Sequence, residues 1–286
     1  MTAQRVRNQG LDPLVHRLLP LVRGFGEGPC GIALGGSWAK GVADEHSDLD
    51  LYLFCNAVQP PAHREAMVAR EFGPAADPRS WGADVPFEEC GTDWMAGSVR
   101  VECWMRNAGD VERTIDACGQ GTFARTLSVW AVMGFFSYVA LSDVRAMDIL
   151  EDPDGRLARW KSLVDPYPEP LRAAVLTRFV AEAAFWPRNP HYASAVERAD
   201  SIYTSAIVQQ TVHAVLQAVF ALNREYFPGE KKLAGALGAL RSQPAATAAR
   251  LDGILFPGAA SVDMLRAQRR ALTELVDEVA ALARAS

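Results

Sequence analysis

Apolar residues recur with helical spacing near the start of the chain and with strand-like spacing shortly afterwards. The helical set consists of Leu11, Leu14, Val15, Leu18, Leu19 and Val22. This spacing places the six side chains on one face of a helix. The segment 24–31 is rich in glycine and is expected to end that helix. The apolar run Gly-Ile-Ala-Leu at 31–34 then predicts a short strand that leads into Gly35-Gly36-Ser37.

The next predicted strand, Asp-Leu-Asp-Leu-Tyr-Leu-Phe-Cys at 48–55, alternates regularly. Its two faces carry Leu49, Leu51, Leu53 and Cys55 on one side and Asp48, Asp50, Tyr52 and Phe54 on the other. Because successive side chains of a strand point to opposite faces, we expect the leucine face to lie on the core. A helix at 62–72, a strand near 87–91 and an alternating strand at 98–106 are predicted to follow.

Helical periodicity dominates the remainder of the chain, with helices predicted at about 110–119, 123–150, 169–186, 192–226 and 261–284. The apolar stretch 127–141 is shorter than the roughly 20 residues that a bilayer requires, so we interpret it as a buried helix. The change of period predicts two domains, residues 1–110 and 111–286. The expected fold class is α+β, with a sheet-containing first domain and an all-helical second domain.

Composition narrows the class of protein. The chain has 286 residues, of which 49% are hydrophobic, enough for a sizeable core. A net charge of −5 and a pI of about 5.6 argue against binding along nucleic-acid phosphates, which needs a local excess of lysine and arginine. The five cysteines lack metal-ligand spacing, and the N-terminus lacks the apolar core of a signal peptide. We therefore expect free thiols, a cytoplasmic location and no membrane association.

The polar face of the strand at 48–55 carries two carboxylates side by side. Asp48 and Asp50 repel each other unless a cation lies between them, and a divalent metal is the natural solution. Mg²⁺ binds through one or two carboxylates together with substrate phosphates. Upstream, Gly35-Gly36-Ser37 offers main-chain N–H groups and a hydroxyl suited to phosphate, and Lys40 adds a positive charge. Each feature alone is usually a turn or an exposed strand edge, but the combination favours a nucleotide site.

The full pattern is G-G-S-x(10)-D-x-D followed by Glu102 on a later strand, in Arg-Val-Glu-Cys-Trp. It resembles the nucleotidyltransferase superfamily that includes DNA polymerase beta. Within that superfamily the chain looks most like bacterial small-molecule enzymes such as the aminoglycoside and lincosamide adenylyltransferases. The resemblance covers residues 30–105, roughly a quarter of the sequence.

The resemblance implies a small mixed sheet with helices on one face. It also implies a reaction in which an acceptor hydroxyl attacks the α-phosphorus of a nucleoside triphosphate and displaces pyrophosphate. By matching positions, Gly36 and Ser37 would contact phosphate, and Asp48, Asp50 and Glu102 would bind two Mg²⁺ ions. Polymerases of the superfamily usually have Asp in place of Glu102, whereas several drug-modifying relatives have Glu there. Glu102 is therefore a candidate metal ligand, a candidate general base, or both.

The helical part offers further candidates with two interpretations each. In the segment 221–233, Lys231 and Lys232 are either solvated lysines at a helix corner or ligands of the triphosphate. Similar nucleotidyltransferases often carry a Tyr-x-Pro-Gly-x-Lys element there, which favours Lys232. Glu182, in an apolar helix, either orients the acceptor or forms a structural ion pair.

For several residues the sequence allows either a role in the site or a structural role. Glu89 and Asp93 either face the site or are surface acids. Aromatic residues either line a pocket for the acceptor or the adenine base, or belong to the core. The residues for which the sequence allows both roles are Trp81, Trp94, Trp104, Trp186 and Tyr203.

The sequence thus predicts a metal-dependent nucleotidyltransferase whose helical domain supplies acceptor contacts. The expected donor is ATP or another nucleoside triphosphate, and the expected acceptor is a small hydroxyl-bearing molecule such as an antibiotic. Homodimer formation is left open. The alternatives are an enzyme that adenylylates a protein or extends RNA, and a nucleotide-binding protein of the same fold without turnover.

Overall fold

The computed structural model describes residues 12–82, 89–128, 131–231 and 233–286. The chain forms two compact units. The first contains the described residues up to Asp116 together with Ala140–Pro166, and the second contains Ala117–Val139 and Tyr167–Ser286. The predicted domains, 1–110 and 111–286, divide the chain once, whereas in the structure the chain returns to the first unit at Ala140. The domain assignment itself stays a prediction.

The strands are β1 (Gly26–Glu27), β2 (Gly31–Leu34), β3 (Leu49–Cys55), β4 (Ala57–Val58), β5 (Arg79–Trp81), β6 (Glu89–Ala96), β7 (Val99–Asn107), β8 (Arg125–Ser128), β9 (Ala131–Phe136) and β10 (Asp148–Glu151). The helices are α1 (Asp12–Arg23), α2 (Gly36–Lys40), α3 (Pro61–Phe72), α4 (Ala108–Gly119), α5 (Val139–Ala146), α6 (Arg156–Val164), α7 (Glu169–Phe185), α8 (Pro190–Glu197), α9 (Ser201–Leu222), α10 (Leu233–Gly238), α11 (Thr247–Leu255) and α12 (Val262–Ala285).

The first unit is built around a six-stranded mixed sheet with the order β10-β2-β3-β7-β6-β5. β3 and β7 are parallel, and every other neighbouring pair in this sheet is antiparallel. Among its described residues, the second unit has helices and the two strands of the β8–β9 hairpin. The α+β class predicted from the sequence, with a mixed sheet followed by a helical region, is confirmed.

The core of the first unit lies on the face of β3 that the alternation indicates. Leu49, Leu51, Leu53 and Cys55 are fully buried there, in one cluster with residues of α1, β2, β6 and β7. Tyr52 and Phe54, on the opposite face, are also buried, and the Phe54 ring packs edge-on against Trp160 of α6 at 5.3 Å. Both faces of β3 are therefore packed against other residues over most of its length. Asp48 and Asp50 lie at the N-terminal end of this buried strand.

The helix predicted at 123–150, including the buried helix at 127–141, is wrong. Arg125–Ser128 and Ala131–Phe136 pair as the antiparallel strands of the β8–β9 hairpin, and a helix begins only at Val139. Gly134 has φ +84°, a left-handed backbone conformation that no α-helix contains. Leu127 and Val132 are 82% and 88% exposed, so the apolar run does not mark a buried element throughout. Short apolar runs of this kind do not distinguish a strand from a helix by periodicity alone.

α9 is the one helix among the described residues that is long and apolar enough to cross a membrane. Within its most apolar stretch, 78% of the residues are buried inside the protein. Its burial is that of a core helix, in contact mainly with α7 and α12 of the second unit.

Candidate functional site

The Gly-Gly-Ser turn connects the end of β2 to the short helix α2. The Gly35 N–H donates to the Asp50 carbonyl at 2.9 Å, which extends the β2–β3 pairing to the turn. The Gly36 N–H donates to the Tyr52 hydroxyl at 3.2 Å. Gly36 has φ +55°, so the chain leaves the strand in a conformation that favours glycine.

Both glycines are required by their close approach to β3. A Cβ atom on Gly35 would lie 2.1 Å from Cζ of Tyr52, and one on Gly36 would lie 1.7 Å from Oδ2 of Asp50. Such distances are far below van der Waals contact. The turn therefore lies directly against the side chains of Tyr52 and Asp50.

Two of the three carboxylates predicted from the sequence, Asp50 and Glu102, are neighbours on adjacent strands, and Asp48 precedes Asp50 by two residues. Asp50 of β3 lies directly beside Glu102 of β7 in the parallel register, and neighbouring strands are about 4.8 Å apart. Asp48 immediately precedes β3 and interacts electrostatically with Asp50. Burial raises the pKa of Asp50, and the negative charges of Glu102 and Asp48 raise it further, to about 7.

A fourth carboxylate, Asp143 of α5, belongs to the same electrostatic cluster. Its negative charge also raises the pKa of Asp50, whereas Lys40 lowers it. Asp143 pairs with Lys40 Nζ at 3.7 Å and with the Arg106 guanidinium at 3.0 Å. The Arg106 guanidinium lies 4.8 Å from the centre of the Tyr52 ring. Asp143 therefore connects Lys40, at the end of α2, to Arg106 and through it to the Tyr52 ring.

Sequence reasoning missed Asp143, and no sequence signal identifies it. It lies far along the chain from the Gly-Gly-Ser motif, in a segment predicted to belong to one long helix. Its position becomes evident only because Ala140–Pro166 returns to the first unit and adds β10 to the sheet beside β2.

Glu102 shares a cationic partner with Asp93. Arg100 pairs with Glu102 at 3.2 Å and with Asp93 at 3.5 Å. Asp93 is opposite Glu102 in the β6–β7 register and accepts a hydrogen bond from Trp81 Nε1 at 3.1 Å. Burial raises the pKa of Asp93, and these two partners oppose the shift. Asp93 thus lies next to the candidate site but is held by Trp81 and Arg100, while the side chain of Glu89 lies outside the described part of the chain.

The donor set fits a divalent cation in its chemistry. Over the described ranges, no three or more His, Cys, Asp or Glu side chains are already grouped closely enough to hold a metal ion as they stand. Burial first, and then the negative charges of Glu102, Asp48 and Asp143, raise the pKa of Asp50, and Lys40 opposes the shift. Carboxylate oxygens are the ligands that Mg²⁺ prefers, and a cation among them would relieve the repulsion.

The other predicted phosphate ligands are Ser37, Lys40 and Lys232, and the first two lie in the short helix α2. Ser37 is in the first turn of α2, and Lys40 is its last residue. Lys232 lies outside the described residues. Glu230, two residues earlier, accepts hydrogen bonds from the N–H groups of Val132 and Met133, at 2.8 and 2.7 Å, so this part of the segment 221–233 anchors the β8–β9 hairpin.

Contacts within each unit favour structural roles for most of the other candidates. Glu182 forms an ion pair with Arg178 at 2.9 Å, in agreement with the structural alternative. Trp94 is 2% exposed and lies in the core. The Trp81 and Trp104 rings pack against each other at 4.6 Å. Trp186 donates to Gln210 at 3.2 Å and packs edge-on against Tyr203, which is 41% exposed.

The pKa of Asp50 makes a prediction for stability against pH. The folded-state pKa of about 7 lies above the ordinary value of 3.8, so the folded protein binds more protons between these limits than the unfolded chain does. The free energy of unfolding of the metal-free protein should therefore fall as pH rises from about 4 to 7. Asp50→Asn should remove this contribution, which is at most about 4 kcal/mol and smaller where solvent reaches the carboxylate.

Thermal unfolding of both proteins in EDTA across this pH range measures the effect. The difference in melting temperature, variant minus parent, should grow from pH 4 to 7 and be constant above. A difference that is constant from pH 4 to 7, or that shrinks, would contradict an Asp50 carboxyl held among like charges.

Comparisons with known proteins find one matching family and matching solved structures. A family described as a domain of unknown function (DUF4037) matches residues 136–233. No curated protein matches the sequence. Among solved structures, a nucleotidyltransferase-like protein from Exiguobacterium sibiricum 255-15 is 10% identical, with a TM-score of 0.45 over 96% of this chain and 74% of that chain. Neither match defines an activity for the chain.

Proposed function

We propose that the protein is a metal-dependent nucleotidyltransferase that transfers a nucleoside monophosphate from a nucleoside triphosphate to an acceptor hydroxyl. One observation carries the proposal: Asp50 lies beside Glu102 in the β3–β7 register and within electrostatic reach of Asp48, with Gly36 of the Gly-Gly-Ser turn against its carboxylate. Separately, a glycine turn, a strand aspartate or a later glutamate is unremarkable. Their convergence combines phosphate donors with carboxylates suited to Mg²⁺.

The residues of the first unit have distinct tasks in this proposal. Gly36 and the Ser37 hydroxyl would contact the terminal phosphates, the Gly36 N–H giving up its hydrogen bond to the Tyr52 hydroxyl to do so, and Lys40 would supply a positive charge beside them. Asp48, Asp50 and Glu102 would hold Mg²⁺, which when bound neutralises phosphate charge and aligns the reacting oxygens. Asp143 holds Lys40 and Arg106 near the turn.

The reaction needs positioning and charge neutralisation more than covalent participation by the protein. The acceptor oxygen forms a bond to the α-phosphorus, the bond from that phosphorus to the bridging oxygen breaks, and pyrophosphate leaves. The acceptor proton passes to a base. Glu102 is the proposed base, the third metal ligand, or both, and the Arg100 guanidinium lies 3.2 Å from its carboxylate.

The finer assignments rest on the resemblance of the motif to small-molecule adenylyltransferases. They are ATP as donor, two Mg²⁺ ions, a hydroxyl-bearing small molecule such as an antibiotic as acceptor, Lys232 as an additional phosphate ligand, and a cytoplasmic location. A protein acceptor is the second candidate. The acidic pI disfavours RNA.

The proposal is tested by incubating the protein with Mg²⁺, each of the common nucleoside triphosphates in turn and a library of metabolites and antibiotics. We expect pyrophosphate release that requires both metal and acceptor. Mass spectrometry should show an acceptor that has gained one nucleoside monophosphate. A nucleotide that binds with no pyrophosphate release across the whole panel would favour a binding protein, and a labelled protein band in a lysate would favour a protein acceptor.

A further inference from the structure

Two buried cysteines face each other at the far end of the strands that carry the candidate site. Cys30 directly precedes β2, and Cys55 is the last residue of β3. They are 4% and 0% exposed and both belong to the core of the first unit. None of the tasks proposed for the nucleotide site uses them.

The ladder places these cysteines opposite each other. Gly31 pairs with Phe54 and Ile32 with Leu53, so the next pair outward is Cys30 with Cys55. The hydrogen bond from Gly35 N–H to the Asp50 carbonyl marks that pair as hydrogen-bonded. Since hydrogen-bonded and non-hydrogen-bonded pairs alternate, Cys30 and Cys55 occupy a non-hydrogen-bonded pair, where Cα atoms are about 4.5 Å apart and side chains are closest. A disulfide needs a Cα separation of about 4.4–6.8 Å, and this pair falls within it.

The two sulfur atoms themselves lie close together. A Cβ atom built on Gly26 would be 2.4 Å from Cys30 Sγ and 3.2 Å from Cys55 Sγ, so one glycine faces both sulfurs. The Cys30 thiol donates to the Gly28 carbonyl at 3.3 Å. The interaction between the two thiols lowers the pKa of Cys30, against the opposing effect of burial, and raises that of Cys55. The positive charges of Arg156 and Arg23 also lower the pKa of Cys30. Cys30 is thus the thiol that ionises first, and Cys55 is the partner beside it.

The other cysteines of the first unit lack this arrangement. Cys90 pairs with Met105, and Cys103 pairs with Thr92, so Cys90 and Cys103 are diagonal neighbours on β6 and β7 and not directly opposed. Cys118 belongs to the second unit, where its sulfur lies 3.9 Å from the Ser137 hydroxyl. The chain therefore contains its own controls for cysteine reactivity.

We propose that Cys30 and Cys55 form a modification site, a dithiol that a peroxide oxidises to an intramolecular disulfide. The Cys30 thiolate attacks one oxygen of hydrogen peroxide, the O–O bond breaks, and the released hydroxide takes up the thiol proton to leave as water. Cys30 is then a sulfenic acid. The Cys55 sulfur displaces the sulfenic oxygen, which leaves as a second water with the Cys55 proton. In total, two thiols and one peroxide give one disulfide and two waters.

The disulfide would close a loop that contains the whole Gly-Gly-Ser to Asp-x-Asp motif. The segment 31–54 lies between the two cysteines and carries Gly36, Ser37, Lys40, Asp48 and Asp50. A cross-link at the base of β2 and β3 restricts the unfolded chain over this segment and should raise the melting temperature of the oxidised protein.

The test treats the fully reduced, folded protein with one equivalent of hydrogen peroxide and then blocks the remaining thiols. We expect an intact mass lower by two hydrogen atoms, three blockable thiols in place of five, and a proteolytic fragment that links the Cys30 peptide to the Cys55 peptide. Cys90→Ser is the matched control and should give the same linked fragment. Cys55→Ser should instead leave Cys30 as a sulfenic acid that a dimedone reagent traps.

Links that involve Cys90, Cys103 or Cys118, links between molecules, or five blockable thiols after treatment would overturn the proposal. The mass and the peptide map of the parent protein decide the matter even if a serine variant fails to fold. The readout is independent of catalysis, so the outcome for nucleotide transfer does not affect it.

Discussion

Asp48→Asn and Asp50→Asn are each expected to lower kcat/KM for nucleotide transfer by about a thousandfold or more, equivalent to about 4 kcal/mol of transition-state stabilisation. Asparagine keeps the size of the side chain but removes the charge that binds Mg²⁺. Asp50 also lies among three other carboxylates, so its replacement relieves repulsion in the metal-free protein. The Asp50 variant should therefore lose activity while becoming no less stable.

Metal binding gives a readout that does not depend on turnover. Mg²⁺ with a nucleoside triphosphate should raise the melting temperature of the parent protein and have a much smaller effect on either variant. Glu71→Gln is a suitable control, because it breaks the Arg17–Glu71 ion pair of 2.8 Å in the same unit without touching the site. Turnover in either aspartate variant at the rate of Glu71→Gln would disprove the metal assignment.

Gly36→Ala is expected to affect stability and activity together. The added Cβ would lie 1.7 Å from Asp50 Oδ2 in a backbone conformation with φ +55°. Left-handed strain and overpacking together should reduce the free energy of unfolding by about 3 kcal/mol. Because relief of the clash must move the turn away from Asp50, transfer should fall by about a hundredfold or more. Chemical denaturation and initial-rate kinetics measure the two effects.

The β6–β7 turn supplies a control for backbone strain alone. Gly97 has φ +68°, and an added Cβ there meets no atom within 4 Å. Gly97→Ala should lose only about 1–2 kcal/mol and keep its activity. In addition, Asp50→Ala should remove most of the steric part of the Gly36→Ala penalty when the two changes are combined. Equal losses for Gly36→Ala and Gly97→Ala would show that close approach to Asp50 is not what requires glycine at 36.

Much of the first unit could be predicted from local sequence. The alternation in 48–55 identified β3 and its core face, because a strand that packs on a core must repeat with period two. The helix at 12–22 and the strands at 31–34 and 98–106 also follow local periodicity. The second unit was less predictable in two places. The single helix predicted at 192–226 is wrong, because the chain forms α8 and α9 there. An apolar run that is compatible with either a helix or a strand formed the β8–β9 hairpin.

The residues of the candidate site could likewise be predicted only in part. Gly36, Ser37, Asp48 and Asp50 occur within one short segment, and the chemistry of phosphate and Mg²⁺ makes their combination recognisable. Glu102 was identified by its resemblance to a motif, and the parallel β3–β7 register places it beside Asp50. Asp143 had no such signal, since its proximity depends on the return of the chain to the first unit.

By itself the sequence determined the types of residue at the site, the face on which the aspartates lie and the α+β class. Those properties depend on local backbone periodicity and on the chemistry of single side chains. Only the tertiary structure decided that Asp143 joins the carboxylates, that the pKa of Asp50 rises to about 7 and that Cys30 opposes Cys55. These depend on strand register, burial and distances between residues remote in the chain, which are fixed when the whole unit packs.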